Sequence, residues 1–310
     1  MPATPTFSGS GKRRRRRPQL AIGMSLLVFA AVLAGALYLP GWLARTPPAP
    51  PAPPGIDAHQ IQLTQARQQA ALVVAEDNRV LTQLRGIPWN GWPYRDQAHG
   101  LPTMILTARP APYTLDSLLV LRAARRVDAN TVDLINSVVV GPGARLVLHA
   151  PDITLRMTST PAGFTSLVAW KGPIEITGTA DHPITVTSWD PASKGPDHRV
   201  NDGRAYVRVT GSTLRTDFAA FSHLGFWSGR TGGLAITGND TALGGGSITH
   251  TTAHHNHYGL FSSDTHQLAI SDSTFGHAAA DGILLHQRST EATIHATTAH
   301  NNSESGIVVN

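Results

Sequence analysis

The 310 residues leave room for one large domain or two modest ones, and with no cysteine they exclude a disulfide scaffold and every thiolate metal site. Charged residues make up 15% and hydrophobic ones 41%, which is not the balance of a disordered chain. With 29 glycines and 22 prolines, the composition fits many short strands and many turns. The net charge of +5 misleads, because seven of the 25 basic residues (Lys12, Arg13 to Arg17, Arg45) precede residue 55 with no acidic residue among them. The other 18 face 20 acidic residues, so the clustered cations that a nucleic-acid partner requires are absent from the bulk of the chain.

The predicted elements start with a basic cytoplasmic tail, residues 1–17, and a transmembrane anchor, residues 18–44. Leu20 to Leu39 carry no charge. As a helix they span about 30 Å, the thickness of a bilayer core. The positive charges before this segment hold its start in the cytoplasm and place everything after it outside. A cleaved signal peptide is the alternative, with Ala34-Gly35-Ala36 as the small-residue site. Residues 45–56 form a Pro-rich linker with the stiffness of polyproline II. Residues 57–85 read as a helical stalk, opened by Asp57 and closed by Gly86 and Pro88. Residues 86–137 read as an N-terminal cap with a short helix between Thr114 and Arg122. The alternative there is an aromatic sugar platform of Trp89, Trp92 and Tyr94.

From Val138 onward short apolar triplets alternate with turn clusters, among them Leu146-Val147-Leu148, Ile174-Glu175-Ile176 and Leu234-Ala235-Ile236. The pattern then becomes periodic. Gly259, Gly282 and Gly306 are 23 and 24 residues apart, and Ile248, Ile270 and Ile294 are 22 and 24 apart. Periods of this size signal a solenoid. Two strand signals per coil, without a leucine ladder, predict an all-β chain folded as a parallel β-helix over residues 138–310. The chain ends inside a coil, which predicts further coils beyond Asn310. His254, His277 and Asn301 each stand five residues before their glycine, as a turn ladder would.

These residues resemble the right-handed parallel β-helix repeat proteins of the periplasmic copper-processing and carbohydrate-binding/sugar-hydrolase type. That group includes polysaccharide lyases and mannuronan C5-epimerases. His255-Asn256-His257-Tyr258-Gly259-Leu260 is similar to the start of an epimerase coil, and Gly282 to Arg288 to the next coil, which in the family carries a functional arginine. The family's Asp-Pro-His-Asp corresponds here to Phe261-Ser262-Ser263-Asp264, which keeps the final Asp alone. The resemblance implies a polysaccharide partner and chemistry at C5 of a uronate.

That chemistry needs a cation on the carboxylate, a base beside the proton and an acid on the opposite face. Arg288 is the candidate cation, because a guanidinium grips a carboxylate through two parallel hydrogen bonds. His255, His257 and His286 are the candidate bases and Tyr258 the candidate acid. Asp264 is the candidate orienting group, because the repeat spacing puts it beside Arg288 on the neighbouring coil. No cofactor and no metal is assigned. Two metal alternatives are set against this, a His250, His254, His255, His257 cluster and a calcium site at Asp190, Asp197 and Asp202. The functional alternative is a non-catalytic scaffold or adhesion module.

Overall fold

The computed structural model describes residues 58–85, 89–97 and 101–310. The tail, the membrane segment and the Pro-rich linker lie outside the described residues. Among the described residues no helix is long and apolar enough to cross a membrane.

Among the described residues two elements are α-helical. Helix α1 spans Ala58–Arg85 and helix α2 spans Leu115–Val120. Thr114 caps α2: its side chain accepts from the Ser117 amide while the Ser117 side chain accepts from the Thr114 amide, a reciprocal capping box. The rest is a parallel β-helix with one nine-stranded and one fourteen-stranded sheet. A single column of paired residues traces the nine-stranded sheet from coil to coil: Met104, Val138, Leu167, Val207, Leu234, Leu260, Ile283 and Ile307. The steps between them are 34, 29, 40, 27, 26, 23 and 24 residues. The ladder therefore begins at Thr103, ahead of the first coil read from the sequence, because the early coils carry insertions that break the period. One insertion is the hairpin joining Thr154–Thr160 to Gly163–Phe164. Another is the excursion after Asp190, where Gly195–Pro196 pairs antiparallel with Trp189 and Asp190.

The core runs through the middle of the coils. Val138, Leu167, Val207, Leu234, Leu260 and Ile283 are each at most 1% exposed. Burying an aliphatic side chain of this kind stabilises the fold by about 1.5–3 kcal/mol. On the fourteen-stranded sheet Phe221, Ala253, Phe275 and Ala299 stack in successive coils, so a ring alternates with a methyl group. Large and small side chains thus interdigitate, which fills the interior without voids. The Ile248, Ile270 and Ile294 landmarks are likewise direct register partners.

Each coil bends at corners that take left-handed backbone. His223, His255, His277 and Asn301 form one such column, with φ between 53° and 57°. Asn and His are among the residues that tolerate this region. His255, not His254, is the register partner of His277, since His254 pairs with Gly276. The turn into Tyr258 is one residue shorter than the next one, which offsets the ladder read from the sequence.

Helix α1 lies along the outer face of the nine-stranded sheet. Its residues Gln69, Val73, Glu76, Val80 and Gln83 are buried, at spacings that keep them on one helix face. Val73 and Val80 pack with Ile105, Val139, Val168, Tyr206 and Phe226. Arg79 donates to Glu76, to Thr103 Oγ1 at 2.8 Å and to Ser166 Oγ at 2.7 Å. The Tyr206 hydroxyl donates to Glu76 Oε1 at 2.5 Å. Asp77 pairs with Arg208 at 3.1 Å and Arg230 at 3.2 Å.

Candidate functional site

Among the described residues, helix α1 covers the outer face of the early coils and does not extend over the later part of that face. There Tyr258 begins the strand Tyr258–Ser263, and Phe261, outside the central core, is 8% exposed. The 3-10 turn Gly229–Thr231 and Gly232 form a backbone bed for both rings. A Cβ on Gly229 would lie 2.2 Å from the Phe261 ring, and one on Gly232 would lie 2.5 Å from the Tyr258 ring. Both distances are far inside van der Waals contact, so these positions accept glycine.

A row of rings follows. His257 and Tyr258 meet edge to face at 5.1 Å, Tyr258 and Phe261 lie 6.1 Å apart, and Phe261 and His286 lie 6.1 Å apart. His286 Nδ1 is 2.6 Å from Asn310 Oδ1. Ser263 is the register partner of His286. One residue further, at the corner, Asp264 forms an ion pair with Arg288 of the next coil. Asp264 Oδ2 also accepts from Ser263 Oγ at 3.0 Å. The Arg288 side chain is 81% exposed and that of Asp264 19% exposed, so the guanidinium stands above a carboxylate set into the surface.

Burial, with the negative charges of Glu304 and Asp281 behind it, pushes the Tyr258 hydroxyl up to about 12. Tyr258 is therefore a proton donor at neutral pH. Burial, helped by the Arg204 charge, pulls His257 down to about 4 against a hydrogen bond with the Trp227 backbone. His257 is neutral at physiological pH, and its ring supports Tyr258 from the side.

Five of the six residues singled out from the sequence thus fall along this row: His257, Tyr258, Asp264, His286 and Arg288. His255 does not. It belongs to the corner column, stacked at 5.1 Å on His223 and at 5.1 Å on His277. Sequence reasoning missed Phe261, because an apolar residue inside a strand reads as core. It also missed the glycine bed, which lies a coil earlier in a stretch without period.

The metal alternatives find no converging donors. His250 stacks on Phe218 at 4.3 Å and contacts Asp217 at 2.9 Å, at a different corner from His255. Asp190 and Asp197 accept the amides of Ala192 and Arg199, and Asp190 pairs with Arg199, so both serve the turn. Among the described residues no group of three or more His, Asp or Glu is arranged to hold a metal ion.

A family model described as "Right handed beta helix region" matches residues 200–310. Among solved structures, the periplasmic alginate epimerase AlgG aligns at 13% identity with a TM-score of 0.58, over 81% of this chain and 61% of that one. A single mutant of AlgG gives 0.60 at 13% identity, over 84% and 63%. A double mutant gives 0.59 at 14%, over 83% and 70%. The chain spans little more than half to about two thirds of the length of these structures. At such identities the likeness is one of fold. No curated relative matches in sequence.

Proposed function

We propose that this chain is an extracytoplasmic β-helix protein, held at the membrane by residues 18–44, that binds an acidic polysaccharide and modifies it at a uronate C5. The observation that supports this reading best is the row of half-buried Tyr258, buried Phe261 and half-buried His286, ending at the Asp264–Arg288 pair. Apolar ring faces suit the carbon faces of sugars, and a guanidinium suits their carboxylates.

In this reading Arg288 neutralises the uronate carboxylate, which lowers the cost of the negative charge that develops when C5 loses its proton. His286 accepts that proton on the ring nitrogen not engaged by Asn310. Tyr258 returns a proton to the opposite face of C5, and the product is the epimer. If the C4–O bond breaks instead, the electron pair goes to the leaving oxygen and an unsaturated end results. Asp264 is a positioning residue that aims Arg288.

The test is to incubate the full chain in detergent with polymannuronate, polyguluronate and polygalacturonate in deuterated water. C5 deuterium uptake by NMR supports the reading, and an unsaturated end identifies elimination. The second reading, a binding module without turnover, is favoured by the hold of Asp264 on Arg288, which leaves less of the guanidinium for a substrate. Saturable binding without deuterium uptake decides for it.

A further inference from the structure

A cavity of about 330 Å³ opens beside the corner column. His198, Arg204, His223, His255, Asn256 and His277 supply its polar wall, and no acidic side chain lines it. Arg204 is 4% exposed. Its Nε donates to Gly225 O at 2.8 Å, its Nη2 to Leu224 O at 3.2 Å and its Nη1 weakly to Asp197 O at 3.5 Å. Among the described residues no carboxylate lies within ion-pair distance of it. The nearest carboxylate that acts on it is Asp197, whose Oδ1 accepts the Arg199 amide. A buried cation without a paired anion is costly, and the structure keeps this one against a cavity wall.

Two further polar atoms there lack partners. Asn256 is fully buried and its Nδ2 donates to nothing, although its Oδ1 accepts the Leu224 amide at 2.9 Å. His223 Nδ1 is also unpartnered. Buried polar atoms of this kind normally find a partner, and both residues line the cavity. The rings of His223, His255 and His277 stack nearly parallel, so their nitrogens lie side by side rather than converging. That geometry, next to a guanidinium, favours an anion over a metal ion.

We propose that this cavity binds a small oxyanion, a carboxylate or a phosphate group, with Arg204 supplying the charge and Asn256 Nδ2 and His223 completing the donors. Binding is coupled to proton uptake by the histidines. Burial first, and then the facing His198, His255, Arg204 and His254, disfavour protonation of His223 and hold it down to about 4. An anion among them offsets that repulsion, so affinity rises as pH falls.

Calorimetry on the full chain in detergent tests this, with sodium phosphate and sodium glucuronate as separate probes and sodium chloride as the reference. Saturable binding of either probe supports the site, and which probe binds identifies the group it takes. The expected gain from pH 7.5 to 5.5 is about twofold, because His223 starts from about 4 and takes up only part of a proton in that window. A His223→Ala, His277→Ala double variant should lose about tenfold, the worth of one charge-assisted hydrogen bond, with unchanged circular dichroism. Because a variant at this corner can lose its fold, histidine ring NMR on the unaltered chain gives a second readout: saturating phosphate or glucuronate should raise the His223 titration midpoint. No saturable binding by either probe, an unmoved midpoint, or uptake of zinc chloride in place of both anions overturns the proposal.

Discussion

Asp264 and Arg288 stand 24 residues apart in the chain and face each other across adjacent coils, both in left-handed backbone, with φ of 55° and 49°. Guanidinium Nε and Nη2 both reach Asp264 Oδ1. An exposed pair of this kind contributes little to stability, on the order of 0–1 kcal/mol. Arg288→Ala should therefore leave the urea midpoint nearly unchanged. If the chain epimerises or cleaves a polyuronate, kcat should fall about 10²- to 10³-fold, and Arg288→Lys should recover only part of it, because an ammonium lacks the planar fork. Undiminished turnover in folded Arg288→Ala would remove this residue from the chemistry.

The bond between Tyr206 and Glu76 is a stability element. Tyr206 is fully buried, and Arg79 holds the Glu76 carboxyl below its ordinary range although burial opposes this. Tyr206→Phe should cost about 1.5–3 kcal/mol, the worth of a hydrogen bond to a charged acceptor, since Glu76 Oε1 keeps its bond from Arg79 Nη2. Glu76→Ala should cost about 3–5 kcal/mol, since it strands the Arg79 guanidinium. Chemical denaturation monitored by circular dichroism gives both numbers.

Acid should weaken the fold through His223 and His257, each held down to about 4 from an ordinary 6.5, chiefly by burial. The unfolded chain takes up these protons near pH 6.5, while the folded chain resists until about pH 4. Below pH 6.5 the unfolded state therefore binds more protons, and stability drains away as pH falls towards 4. The stabilising contribution is fully present above pH 6.5. Urea midpoints measured from pH 7.5 to 4 should decline mainly in that window, and a flat profile there would contradict the assigned burial.

The alternating ring and methyl column has a two-sided prediction. Phe275 is completely buried, so Phe275→Ala should cost about 3–5 kcal/mol. Ala253, its neighbour in the stack, is 1% exposed, and Ala253→Leu should cost about 1–3 kcal/mol by overpacking. Thermal unfolding of the two single variants reads this directly. A neutral Ala253→Leu would mean that the column has slack.

The glycine bed predicts a loss of binding more than of fold. A side chain at Gly229 meets the Phe261 ring, which is 8% exposed and lies between Tyr258 and His286 in the row. Gly229→Val should displace that ring and lower affinity for a bound polyuronate about tenfold, comparable to losing one aromatic contact of about 1.5 kcal/mol. Affinity electrophoresis in polyuronate gels checks it.

The final coils are legible in the sequence because nothing interrupts them. Steps of 23 and 24 residues from Leu260 to Ile307 leave the glycine and isoleucine landmarks in phase. The same regularity let counting alone set Asp264 beside Arg288. Steps of 34, 29 and 40 residues hide the earlier coils, so nothing in the sequence indicated that Arg204 and His223 would meet His255. His257 shows a second limit. Its spacing from Tyr258 says nothing of the direction in which a tight turn aims a ring, and the turn aims this one into the protein.

Helix α1 gives the solenoid something that its stacking alone lacks. In a repeat array each coil touches only its neighbours, so coils can fray one at a time. Here one helix reaches Thr103, Val139, Ser166, Tyr206 and Arg208, which belong to four strands from Thr103–Leu106 to Tyr206–Thr210, and Arg230 just beyond them. It works as a splint across residues as far apart in the chain as Thr103 and Arg208. The early coils should open together or not at all, and amide hydrogens there should exchange as one cooperative block. The coils after Gly233, which have no such brace, should exchange in graded order along the stack, so that the surface proposed to meet the polysaccharide is also the more compliant part of the molecule.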